Sequence, residues 1–97
     1  MKNLLVTGAA GGIGSEIASH ASKNGYRVGL MDANHEKLKE VESAIENSIS
    51  LPVDITQEDS VKNALDLFGE IPDGLVNCAG IVRFGSLLEQ KVKDFED

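Results

Sequence analysis

Two rhythms of apolar positions take turns along this chain. Asn3–Thr7 is a short run built on Leu4, Leu5 and Val6, long enough for a buried strand. From Gly12 to Lys23 the apolar residues fall at Ile13, Ile17, Ala18 and Ala21, the spacing of one helix face. Asn24-Gly25 predicts the end of that helix, because a glycine past the last turn takes up the left-handed conformation readily. Arg27–Met31 predicts a second strand, ending at Asp32. The stripe Leu38, Val41 and Ile45 predicts a helix from about Asn34, its N-cap, to Asn47. Ile49–Val53 predicts a third strand, and Pro52 puts it at a sheet edge, since proline donates nothing to a ladder. Thr56 followed by Asp59 resembles a capping box for a third helix, whose stripe is Val61, Ala64, Leu65 and Phe68 and whose stop is Gly69. Gly74–Asn77 predicts a fourth strand, and Val92–Asp97 the first turns of a further helix.

Strand and helix alternating in this way predict an α/β fold, βαβαβαβ, with a parallel sheet, right-handed crossovers and helices on both faces. The expected strand order is 3-2-1-4, which leaves the Pro52 strand at the edge.

Composition narrows the class. With 97 residues, 41% hydrophobic and 26% charged, the chain is a folded rather than a disordered type and makes at most one domain. Its formal net charge of −7, with no basic patch, argues against nucleic acid as a partner. Cys78 is the sole cysteine, so no internal disulfide forms, which suits a reducing compartment. Leu4-Leu5-Val6 is too short for a secretory leader, and no stretch has the length to cross a bilayer. The expectation is a cytoplasmic protein with no membrane partner. His20 and His35 have no further ligands at metal spacing, so no metal site is expected.

The candidate chemistry lies in the turns. Thr7-Gly8-Ala9-Ala10-Gly11-Gly12-Ile13-Gly14 joins the first strand to the first helix. Glycines there let the backbone turn tightly and come close to a pyrophosphate, which the helix N-terminus attracts. Asp32, at the end of the second strand, is placed to accept hydrogen bonds from an adenosine ribose. It would repel a 2′-phosphate: two like charges about 4 Å apart cost on the order of 4 kcal/mol at an effective dielectric of about 20. No Lys or Arg in the glycine loop or at positions 33 to 35 offsets this, so NAD is expected over NADP.

The Thr7–Gly14 loop, Asp54 after the third strand and Asn77-Cys78-Ala79-Gly80 after the fourth together resemble the classical short-chain dehydrogenase/reductase family, over essentially the whole chain. The resemblance implies a Rossmann-type sheet and an NAD(P)-dependent oxidoreductase interconverting hydroxyl and carbonyl groups on a small-molecule substrate. It implies that Gly8, Gly12, Ile13 and Gly14 hold the phosphates, Asp32 the ribose, and Asp54 and Ile55 the adenine, with Asn77, Ala79 and Gly80 lining the cofactor. The alternative for Asp54 is a turn residue that caps the next helix. Cys78 stands where family members often have a second asparagine and is expected to be small and buried. Gly8, Gly11 and Gly14 also satisfy the loop spacing of the extended branch, which includes nucleotide-sugar epimerases, whereas the Asn77-Cys78-Ala79-Gly80 motif favours the classical branch.

The family's proton-transfer unit, a Ser with Tyr-x-x-x-Lys, is absent. Tyr26 is the sole tyrosine, and the position four beyond it holds Leu30. No catalytic residue is therefore assigned. The chain is expected to be the front, cofactor-binding part of one domain, ending before the catalytic segment of a homo-oligomeric parent enzyme. The alternative is a non-catalytic dinucleotide-binding module or remnant.

Overall fold

The computed structural model describes residues 2–54 and 56–78. Over them strands and helices alternate as β1 (Lys2–Thr7), α1 (Gly12–Lys23), β2 (Tyr26–Asp32), α2 (His35–Ala44), β3 (Ser48–Pro52), α3 (Glu58–Phe68) and β4 (Gly74–Asn77). All the strand pairs are parallel, and the order is β3-β2-β1-β4, as the pattern predicts. The expected helix from Val92, and Phe84 and Phe95, lie outside the described residues.

Side chains on a strand point alternately to the two faces, and a parallel sheet must bury both. Leu5 of β1, Met31 of β2 and Leu51 of β3 pack on Val61, Ala64, Leu65 and Phe68, the whole apolar stripe of α3. Their neighbours Val6, Val28 and Leu30 pack on Ala18 and Ala21 of α1 and Leu38 of α2. One helix thus covers one face and two cover the other. Phe68 is buried, and the Arg27 guanidinium lies 4.4 Å from its ring centroid, closing the lower end of that layer.

The ends of the helices follow local chemistry, with three corrections. Asn34 caps α2 as expected, accepting from the Lys37 N–H at 3.1 Å, and Gly69 ends α3 at φ 78°. However, α2 stops at Ala44, short of Asn47. Ile45 belongs to the apolar stripe but is already extended and buried beside β2, and Asn47 turns the chain back at φ 54°. Strand β3 accordingly begins at Ser48 and ends at Pro52, one residue ahead of the expected span. The Thr56 capping box does not form: Gln57 is the N-cap of α3, and the Thr56 hydroxyl donates to Asp54 instead.

Strand β3 forms the edge, where Pro52 is exposed. The Ser50 N–H points away from β2 and donates to Glu42 Oε2 of α2 at 2.6 Å, while Lys39 Nζ lies 3.5 Å from Oε1. The Ser50 N–H, with help from the Ser50 hydroxyl and Lys39 and against the effect of burial, holds the Glu42 carboxyl below its ordinary value of 4.5. A carboxyl depressed in the folded state stabilises the fold above its unfolded pKa, and that contribution disappears as the pH falls through the folded value. Urea unfolding should therefore find wild type more stable than Glu42→Gln at pH 7, with the gap closing below pH 4.5.

Candidate functional site

The first turn is shaped by close backbone contact. Gly8 leaves β1 at φ 66°, a conformation that costs glycine nothing. The Gly11 N–H donates back to the Gly8 carbonyl at 3.1 Å, and the Ser15 N–H donates to Gly11 at 2.9 Å to begin the ladder of α1. Gly14 then passes directly over Gly8. A Cβ there would lie 2.3 Å from the Gly8 oxygen and 2.9 Å from its carbonyl carbon, so no side chain fits. Gly12 is the reverse: a Cβ would meet nothing within 4 Å. Beside it, Ile13 is 74% exposed.

The helix starts are not alike. The first turns of α2 and α3 carry acidic residues, Glu36 in the former, which also has its Asn34 cap, and Glu58 and Asp59 in the latter. Gly11 caps α1 without a side-chain hydrogen bond, and no acid lies in its first turn. The positive dipole end of α1 thus has no side-chain cap and no acid in its first turn to answer it, and an anion suits it. The open space over Gly12 gives a pyrophosphate close access to the backbone, so these residues fit a dinucleotide.

The other candidates come from neighbouring strand ends. Parallel pairing brings Thr7 opposite Met31 and Asn77, and Asp32 opposite Pro52, so the C-terminal ends of β1, β2, β3 and β4 lie at one end of the sheet. Asp32 is half-buried. Its Oδ2 accepts from the Ala10 N–H at 3.1 Å and its Oδ1 from the Asn34 N–H at 3.0 Å. Asp54 is exposed, and its Oδ1 accepts from the Thr56 hydroxyl at 2.6 Å and the Thr56 N–H at 3.0 Å. Those two bonds hold its carboxyl below the ordinary 3.8, so it is ionised at neutral pH. The Thr7 hydroxyl, buried, donates to Asn77 Oδ1 at 2.9 Å and links β1 to β4 at the mouth of the site.

Gly8, Gly12, Ile13, Gly14, Asp32, Asp54 and Asn77 are therefore brought to one end of the fold, while Ile55, Ala79 and Gly80 lie outside the described residues. Cys78, expected to be buried, is exposed: it follows β4, and no described element covers it. Sequence reasoning missed Thr7, Ala10 and Thr56 as partners of the site. Only Thr56 had a local signal, a hydroxyl two positions from an aspartate, which favours a turn around the carboxylate.

A parallel sheet in the order 3-2-1-4, with a glycine turn at its centre and a carboxylate on the adjacent strand end, defines a Rossmann-type dinucleotide-binding fold. The family model for short chain dehydrogenases matches residues 2–97, and the chain belongs to that family. An uncharacterized oxidoreductase of Thermotoga maritima is 36% identical over 98% of this chain and 40% of its own length. A 3-oxoacyl-(acyl-carrier-protein) reductase of Staphylococcus aureus is 31% identical over 99% of this chain and 42% of its own. The chain thus spans about two fifths of these relatives. Among solved structures, a 3-oxoacyl-(acyl-carrier-protein) reductase of Brucella melitensis with bound NAD superposes with a TM-score of 0.72 at 32% identity, covering 82% of this chain and 32% of that one.

Substitutions in the loop should separate by position. Gly14→Ala forces backbone apart and should cost about 1–3 kcal/mol. Gly12→Ala should stay within about 0.5 kcal/mol of wild type. Denaturant unfolding of the two variants measures both.

Proposed function

We propose that this chain is the cofactor-binding part of an NAD-dependent oxidoreductase that interconverts a hydroxyl and a carbonyl group on a small molecule. The observation that carries this reading is the uncapped, acid-free start of α1 under the glycine turn, with the Asp32 carboxylate beside it. The reductase and oxidoreductase names of the relatives, and NAD in one solved neighbour, support it, and they favour the classical branch over the epimerases.

In this reading Gly8, Gly12, Ile13 and Gly14 receive the pyrophosphate through backbone N–H groups. Asp32 accepts from the ribose hydroxyls. Asp54, with Oδ1 engaged by Thr56, offers Oδ2 to the adenine amine, next to Ile55. Asn77, Ala79 and Gly80 line the far side. The bound nicotinamide supplies or accepts the hydride, and the residues here hold and orient it. Tyr26 cannot serve as the proton donor. It begins β2, and the six residue steps to Asp32 put it about 20 Å from the cofactor end. The 97 residues by themselves are therefore expected to bind cofactor without turnover. Location in the cytoplasm and homo-oligomeric assembly of the parent enzyme belong to the same proposal.

Calorimetric titration tests the reading. NAD should bind at least about tenfold more tightly than NADP, since the charge repulsion of about 4 kcal/mol at an effective dielectric of about 20 exceeds the 1.4 kcal/mol that corresponds to about tenfold. Gly12→Ala, though folded, should weaken NAD binding by filling the space over the loop. Absence of NAD binding to the wild-type protein would reject the proposal.

A further inference from the structure

We propose that Asp32 has a second role, as a positioning residue for the glycine loop, so that one carboxylate both shapes the phosphate cradle and reads the ribose. The inference rests on the dinucleotide reading above and adds a function to one of its residues.

The loop between Gly8 and Gly11 leaves backbone donors that neither β1 nor α1 can satisfy. The Ala9 N–H is taken by the Met31 carbonyl at 3.1 Å, and the Ala10 N–H by Asp32 Oδ2 at 3.1 Å. The second bond joins residues 22 apart in sequence and links the top of the loop to the end of β2. The other oxygen is held by the Asn34 N–H at 3.0 Å, at the start of α2. The carboxylate is thus a brace between two turns, fixed from both sides by main-chain donors. Each oxygen still keeps a lone-pair site for a ribose hydroxyl. Asparagine is nearly the same shape but has one oxygen and one NH2 group, so it cannot accept from both N–H groups at once.

The brace and a charge-only role make opposite forecasts. If Asp32 acts only through its charge, Asp32→Asn removes a repulsion, and anions without ribose should bind more tightly. NADP should gain as well. If Asp32 holds the loop, the same variant should bind inorganic pyrophosphate at least about tenfold more weakly, the loss expected when hydrogen bonds to a charged group fail. NADP, relieved of the charge but met by a looser loop, should gain less than the loss of charge alone predicts.

The test compares wild type with Asp32→Asn in two measurements. Amide hydrogen exchange on the ligand-free protein follows the Ala10 N–H, with the Val28 N–H, which donates to the Asn47 carbonyl, as the reference for the fold. Loss of protection at Ala10 with Val28 unchanged supports the brace. Equal protection at Ala10 in both proteins overturns it. Equal loss at Ala10 and Val28 also overturns it, because Asp32 would then support the whole fold rather than the loop. Calorimetric titration with inorganic pyrophosphate gives the second readout, where weaker binding to the variant supports the proposal and equal or tighter binding overturns it. Because the exchange measurement uses no cofactor, failure of wild type to bind NAD would sink the functional reading without deciding the brace.

Discussion

The Gly14 Cα rests against the Gly8 carbonyl at a distance that admits no side chain, and the site is organised around that contact. It fixes how near the first turn of α1 comes to the end of β1. From there the helix axis runs back over the sheet, and Ala18 and Ala21 reach Val6, Val28 and Leu30. Small side chains at both positions suit that close approach. The layer containing α1 and the turn that would receive phosphates are therefore one object, set by a pair of glycines. Phosphate access is a by-product of close packing as much as of an open loop.

The first turns divide the electrostatic work among the helices. Two of them begin with side chains that answer their own dipole: Asn34 and Glu36 on α2, Glu58 and Asp59 on α3. The third begins on Gly11 with no such answer, at the centre of the sheet where β1 meets its neighbours on both sides. In a chain with a net charge of −7, this is a local positive end in an acidic protein. Diffusing anions are not generally welcomed by such a molecule. A ligand that also presents hydroxyl groups to Asp32 has more than charge to recommend it.

Much of this was legible in the sequence because it is local. Apolar spacing gave the stripe of α3 and, on α1, Ile17, Ala18 and Ala21 but not Ile13, which is exposed; Asn34 and Gly69 gave helix ends, and Pro52 gave the edge. The glycines and Asp32 could be assigned because each sits at a strand end, where the turn itself limits what the residue does. What escaped depends on partners distant in the chain or on competition for one donor. Ile45 has helical spacing yet leaves the helix, because burial beside β2 and the turn at Asn47 decide its backbone. Thr56 has the composition of a cap, but its hydroxyl found the Asp54 carboxylate first. The Ala10 bond to Asp32 and the Thr7 bond to Asn77 exist only after the strands are aligned, so no window of sequence contains them.

The outer edge of β3 has a consequence for how the sheet can grow. Alternate residues of that strand turn their N–H groups outward, out of phase with Val53 just beyond it, whose N–H bonds inward to the Asp32 carbonyl. At Ser50 the outward N–H is covered by a carboxylate, and at Pro52 there is none. A foreign strand approaching from this side meets a missing donor, an occupied donor and the Glu42–Lys39 ion pair. The edge at β3 is therefore protected from edge-to-edge association. Acid that neutralises Glu42 removes the carboxylate that occupies the Ser50 N–H, and with it part of that protection.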